Sequence, residues 1–201
     1  MSIVLLGSTS GSCTLQEQAV AGTSVLTLPV GTGTVVANNV NSAIVSGTAV
    51  ASTSGTSVDF TSIPSWVKKI TVMLSGVSTN GTSNYQIQIG DSGGVETTGY
   101  GGSSSAVSGG TAAGQVYAGA GFTLFGTYAA AGTYSGYITI SLLDSSTNTW
   151  NAFGSLARTD SVYSIYTTGS KSLSATLDRV RITTVNGTDT FDAGTINILY
   201  E

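Results

Sequence analysis

Apolar and polar residues alternate along much of the chain from residue 57 onward, the mark of strands with one buried face. Val67 to Gly76 sets Ile70, Val72 and Leu74 on one side, and Tyr85 to Ile89 does the same with Tyr85, Ile87 and Ile89. Between these runs stands Asn80-Gly81, a dipeptide suited to the positive φ angles of a type I′ turn, which predicts a hairpin. Further strands are predicted at Phe122 to Tyr128, at Tyr134 to Leu143 with Ile138, Ile140 and Leu142 inward, at Thr149 to Leu156 around Trp150 and Phe153, and at Leu173 to Asp178. Arg179 to Val185 places Val180 and Ile182 together, Asn186-Gly187 predicts a second hairpin, and Ile196, Ile198 and Tyr200 mark a closing strand. By contrast, Gly99 to Gly121 carries only Tyr100, Val107, Val116 and Tyr117 as sizeable apolar groups, and predicts a long surface loop. No run has the i, i+3, i+4 spacing of a helix, nor the heptads of a coiled coil. About eight strands in the main domain predict an all-β fold, a jelly-roll-like β-sandwich.

The pattern changes toward the N-terminus. Residues 1–56 hold a single charged side chain, Glu17, and charge-bearing segments begin at Asp59. This shift predicts a boundary near Gly55, with residues 1–56 an extended anchoring or oligomerisation arm and residues 57–201 the sandwich. Within the arm, Thr23 to Leu28 and Gly31 to Val36 read as short extended segments interrupted by Pro29. Strands this short need partners, from the main domain or from identical chains. Met1 to Leu6 is apolar but brief and lacks a basic flank, so neither a secretory signal nor a membrane span is expected.

Composition narrows the function classes. With 27 Gly and 2 Pro in 201 residues, turns and β-branched residues set the character of the chain. Six Lys and Arg against ten Asp and Glu give a net charge of −4, which leaves no basic surface for nucleic acid. Histidine is absent, which removes Ser-His-Asp, Cys-His and His-zinc chemistry. The lone Cys13 excludes an intrachain disulfide and has no basic neighbours to make it a thiolate. Neither a cofactor nor a metal is expected.

Two stretches carry a resemblance. Gly7 to Val36, with Thr14-Leu15-Gln16, Ala21-Gly22-Thr23, Thr27-Leu28-Pro29 and Gly31-Thr32-Gly33-Thr34, resembles a segment that recurs in phage tail fibres and related tail proteins. Phe60 to Gly81, with Ile63-Pro64-Ser65-Trp66, is similar to a domain on the C-terminal side of phage tail and virion proteins. Later landmarks of that domain are Gly90-Asp91-Ser92-Gly93-Gly94, Leu177-Asp178, Asn186-Gly187-Thr188 and Phe191-Asp192-Ala193-Gly194. The resemblance covers most of the chain apart from Ala37 to Ser57 and Gly101 to Gly121; Cys13 and Glu17-Gln18 depart from it. It implies a trimeric virion protein on a tail or capsid surface that contacts other virion proteins and binds a host-surface glycan. It brings no catalytic residues with it. A short tail fibre is the expected role, with capsid decoration, as a head fibre or cement, the alternative.

The residues themselves leave one catalytic route open, glycoside cleavage by paired carboxylates, with Asp91 and Glu96 or Asp189 and Asp192 as candidates. All four stand in Gly-rich turns, where such side chains commonly bind their own backbone, so a non-enzymatic protein is expected. Candidate glycan-binding residues are Tyr100, Tyr117, Tyr163 and Tyr166, aromatics in polar or Gly-rich surroundings. Trp66 and Trp150 are expected in the core. Arg179 and Arg181 are expected on a solvated strand face or against Asp178 or Asp189 of a neighbouring chain.

Overall fold

The computed structural model describes the backbone of residues 3–6, 12–15 and 113–118, and backbone and side chains of 44–109, 111–112, 119–126, 129–130 and 132–201. The chain divides into two compact units, Met1–Asn41 and Ser42–Glu201. In the first, β1 (Ile3–Leu6) and β2 (Ser12–Leu15) pair antiparallel, with Ile3 opposite Leu15 and Leu5 opposite Cys13. The segments expected to be extended at 23–28 and 31–36 lie outside the described residues.

The second unit is a β-sandwich, and no described residue is helical. Its strands are β3 (Val45–Ser46), β4 (Val50–Ala51), β5 (Ser57–Phe60), β6 (Lys69–Thr79), β7 (Tyr85–Asp91), β8 (Gly94–Val95) and β9 (Tyr100–Ser108). After these come β10 (Thr111–Gly119), β11 (Phe122–Leu124), β12 (Tyr134–Asp144), β13 (Thr149–Arg158), β14 (Tyr163–Ser172), β15 (Arg179–Thr184) and β16 (Phe191–Tyr200). The larger sheet runs β10-β9-β14-β13-β12-β6-β16-β3, with β4 also on β16; the smaller runs β11-β7-β15-β5, with β8 on β7. Composition groups residues 44–56 with the arm, but β3 and β4 lie along β16 and complete the edge of the larger sheet.

One core joins the two sheets. Ile70, Val72, Ile138, Ile140 and Ile198 of the larger sheet meet Ile87, Ile89, Val180 and Ile182 of the smaller, and all are buried. The alternation read from the sequence therefore points inward as expected. Aromatic rings bridge the layers at two places. Tyr85 stands edge-on to Tyr134, with centroids 5.5 Å apart, and 6.2 Å from Phe191. Tyr100 stands edge-on to Phe122 at 5.0 Å and 88°. Trp150 is buried as expected, and Trp66 is half-buried against Tyr200 at 5.8 Å.

Three expectations fail. Gly99 to Gly121 is not a loop: β9 and β10 form a hairpin, Tyr100 opposite Gly119 and Ser108 opposite Thr111, and β9 pairs onward with β14. What looks like linker composition is a strand whose neighbours need small residues. A Cβ on Gly169 of β14 would stand 2.6 Å from the Gly101 carbonyl oxygen and 3.0 Å from the Phe122 ring, a fit that glycine alone allows. Secondly, neither Asn-Gly pair makes a hairpin, since β6 and β7, like β15 and β16, lie in different sheets. Both edges of β6 are already taken by β12 and β16, so the chain leaving it has to cross to the other layer. The two crossings lock together: Asn80 N–H donates to the Thr190 carbonyl at 2.9 Å, Thr190 N–H donates back to Asn80 Oδ1 at 2.9 Å, and Ser83 N–H donates to Asp189 Oδ2 at 2.9 Å. Thirdly, Leu173 to Asp178 is no strand; Leu173 and Leu177 are buried from a loop, and the strand the sequence does not announce is β14 before it.

The Tyr100 hydroxyl accepts the Ile89 N–H at 2.7 Å and lies 3.0 Å from the Glu96 carbonyl oxygen. Burial raises the phenol well above its ordinary pKa, so it stays a neutral donor and acceptor. Tyr100→Phe leaves the buried Ile89 N–H without its acceptor and is expected to lower stability by about 1–3 kcal/mol. Phe122→Ala is expected to lower it by about 3–5 kcal/mol through the cavity it opens. Urea unfolding midpoints check both, and an unchanged midpoint for Tyr100→Phe would remove its clamping role.

Candidate functional site

Alternation that buries one face of β12, β13 and β14 turns the other face to solvent, and the exposed residues there are unusual in kind. Trp150, Ala152, Gly154 and Leu156 of β13 face inward, so Phe153 faces out and is 66% exposed. Ile138 and Ile140 of β12 face inward, so Tyr137 faces out at 59%. Tyr166 of β14, between the buried Ile165 and Thr167, is 47% exposed. The register brings the three together: Ser155 lies opposite both Tyr137 and Tyr166, while Phe153 lies opposite both Thr139 and Thr168. Phe153 is thus diagonal to both tyrosines, at roughly 7–8 Å along the sheet, within reach of large side chains.

A shallow groove of about 970 Å³ runs beside Phe153 across four strands, β12, β13, β14 and β9. On the β12 side it is lined by Tyr137, Thr139, Ser141 and Asn151. On the β9 side it is lined by Ser103, Thr168 and Ser170 above a floor at Gly101, Gly102 and Gly169. No lining residue is charged. The groove offers two apolar ring surfaces, hydroxyls that donate and accept, and one amide, a set suited to holding a polyhydroxylated ligand and lacking a nucleophile-base pair.

The four tyrosines expected to bind a glycan separate in the structure. Tyr166 stands on this face next to the groove. Tyr100 is 1% exposed and belongs to the core, held there by Phe122 and by its bonds to Ile89, so it presents no ring to a ligand. Tyr163 is half-buried against the core, its hydroxyl beside Gly126. Tyr117 lies in β10 opposite Gly102, and its side chain is outside those described. Tyr137 and Phe153 escape a search for tyrosines in loops, yet the strict alternation of their strands, with isoleucines and Trp150 inward, was the signal for both.

The carboxylates that could form catalytic pairs, Asp91 with Glu96 and Asp189 with Asp192, each hold part of the fold. Asp91 Oδ1 accepts the Gly93 N–H at 2.8 Å and Oδ2 accepts the Ser174 hydroxyl at 2.6 Å. Glu96 Oε1 accepts the Ser174 N–H at 2.7 Å, and Oε2 pairs with the buried Lys171 ammonium. That ammonium also donates to the Ser172 carbonyl at 2.6 Å and stands 5.6 Å above the Tyr100 ring. The hydroxyl of Ser174 holds the Asp91 carboxyl below its ordinary pKa, helped by the Gly93 N–H. Burial pushes Glu96 up, but Lys171 and Ser174 outweigh it and the net shift is downward. Neither group keeps a proton at neutral pH to give to a leaving group. Asp189 accepts from Ser83 N–H and from the Asn186 amide at 2.6 Å, and Asp192 takes the Ser78 hydroxyl. The arginines pair within the chain: Arg181 forks onto Asp59 at 2.7 and 2.8 Å, and Arg179 onto Asp178. Among the described residues no three of His, Cys, Asp and Glu gather into a metal-binding group.

Because Asp91 and Glu96 are lowered on folding, the native state favours their ionised forms. Their contribution is complete above the ordinary carboxylate value of about 4 and is lost as pH falls through the lowered ones. Melting temperature is therefore expected to drop on acidification below about pH 4, and to drop less steeply in Asp91→Asn. Glu96→Gln leaves Lys171 buried without its counter-charge and is expected to cost about 3 kcal/mol at pH 7. The double variant with Lys171→Met should recover most of it; equal losses in single and double variants by urea unfolding would contradict the pairing.

No family model, curated protein or solved structure matches the chain.

Proposed function

We propose that this chain is a non-enzymatic virion protein of a phage, a short tail fibre or fibre-like component that assembles with sister chains and other virion proteins and binds a host-surface glycan. The observation that carries the binding part is the outer face of β12, β13 and β14, where Tyr137, Phe153 and Tyr166 stand exposed among hydroxyls. Exposed aromatics cost solvation unless a partner covers them, and stacking on the apolar face of a sugar ring uses them fully. The virion part is supported by the resemblance of Thr14-Leu15-Gln16 through Gly31-Thr32-Gly33-Thr34, and of Ile63-Pro64-Ser65-Trp66 onward, to tail proteins. The near absence of surface charge fits a crowded particle, since little charged hydration must be stripped when neighbours pack.

Gold-labelled antibodies against residues 57–201, applied to phage particles purified from a lysate of the source strain, should decorate them. Undecorated particles sink the virion reading, whereas label on heads in place of tails moves the seat of the protein to the capsid. In adsorption assays with the cells those particles infect, the purified chain should bind, and the Tyr137→Ala/Phe153→Ala variant should bind at least about ten-fold more weakly, the effect of roughly 1.4 kcal/mol. Undiminished adsorption by that variant would move the binding surface elsewhere.

A further inference from the structure

We infer that the groove beside Phe153 takes a neutral oligosaccharide that lies across the strands, with the Phe153 ring standing as a wedge between two sugar subsites. This inference rests on the glycan-binding reading and adds the ligand's charge class, its direction and its division into two halves.

The charge class follows from what the groove lacks. An acidic sugar would bring a carboxylate, phosphate or sulfate into a site with no cation to receive it, and the desolvation of that charge would go uncompensated. Lys68, whose carbonyl accepts the Leu142 N–H one residue past Ser141, is exposed and does not line the groove, and three further cations near this face stand in ion pairs. Lys69, opposite Ser141 in the register, pairs with Glu201; Arg158, at the far end of β13, pairs with Asp160; Lys171 is buried against Glu96. Hydroxyls of Thr139, Ser141, Thr168 and Ser170 and the amide of Asn151 suit neutral hydroxyl groups, which both donate and accept.

Direction follows from the register. Thr139, Phe153, Thr168 and Ser103 stand in one row across the four strands, and Ser141, Asn151, Ser170 and Gly101 stand in the next. Three inter-strand steps of about 4.8 Å make each row roughly 14 Å long, room for an extended chain of a few pyranose rings. Phe153 sits in the first row with a threonine on each side, and each half has its own tyrosine one row over, Tyr137 beside Thr139 and Tyr166 beside Thr168. The halves differ in floor. On the β9 side the outward-facing Gly101 leaves its row without a side chain and the groove open, while on the β12 side Tyr137 and Asn151 stand up from the sheet. The half over the glycines accepts the bulkier or more substituted sugar.

A second copy of the chain is a poorer occupant. Subunit contacts concentrate aromatics in a dry centre depleted of serine, whereas here hydroxyl side chains outnumber the rings along both rows.

The test is an array of bacterial surface polysaccharides of known composition, sorted into neutral and acidic, probed with the purified full-length chain and with Phe153→Ala at 0.05 and 0.5 M NaCl. Binding confined to neutral polymers, unchanged by salt and weakened at least about ten-fold in Phe153→Ala, is expected. Because Phe153 is exposed, the variant should melt with the unmodified protein. Preference for acidic polymers, or binding abolished by salt, overturns the neutral-ligand inference and leaves glycan recognition standing. Binding to no polymer overturns both. Sedimentation equilibrium that finds self-association lost in Phe153→Ala overturns the inference by making the face a subunit contact.

Discussion

The close approach of β9 and β14 at Gly102 and Gly169 is the constraint on which most of the sandwich depends. The two residues lie opposite each other, and a Cβ on Gly102 would stand 2.4 Å from the Thr168 carbonyl oxygen. Inside, the space left at Gly169 receives the ring of Phe122, which brings the smaller sheet onto the larger and lets Tyr100 close edge-on against it. Outside, it is the next residue, Gly101, whose missing side chain leaves the floor of the groove bare. A larger side chain at Gly169 would push against the Phe122 ring and the Gly101 carbonyl, and so open the clasp between the sheets.

Around that clasp the polar groups form a knot, buried at Tyr100, Asp91 and Lys171 and open to solvent at Ser174. Tyr100 bonds to Ile89 and Glu96, Glu96 to Lys171 and Ser174, and Ser174 to Asp91. Its buried members are stable only while satisfied, because a buried polar group left alone costs more than its bond contributes. It ties β7, β8, β9, β14 and the loop after β14 to one another. The acidic residues that a search for catalysis would single out are therefore the ones this knot and the two crossing corners use to hold the layers in register.

The uncharged outer face of β12, β13 and β14 is a consequence of the same economy of charge. Only 16 side chains are Lys, Arg, Asp or Glu, six positive and ten negative, and ten of them stand in five ion pairs: Arg181 with Asp59, Arg179 with Asp178, Lys171 with Glu96, Lys69 with Glu201 and Arg158 with Asp160. The outer face of β12, β13 and β14 is left to hydroxyls, an amide and three rings. Such a face has no field with which to steer a charged molecule and offers shape and hydrogen bonding alone.

The sequence by itself determined the class of the fold and the direction of most side chains. Alternation at Ile70-Val72-Leu74, Ile138-Ile140 and Ile196-Ile198 is a local property with a period of two, and every one of these residues points into the core. The same period already contained Phe153 and Tyr137 as outward residues, although nothing local says that they meet. Tertiary structure decided what local chemistry leaves open. Asn-Gly specifies a turn but not its partner, and it became a crossing between layers because β12 and β16 occupy both edges of β6. Gly and Ser from Gly99 to Gly121 specify flexibility in isolation, and became a hairpin because Phe122 needs room and β14 needs a neighbour. Tyr100 and Tyr166 look alike along the chain; Tyr100 fills the core and Tyr166 faces solvent because pairing register, a non-local quantity, sets which side of a strand is covered.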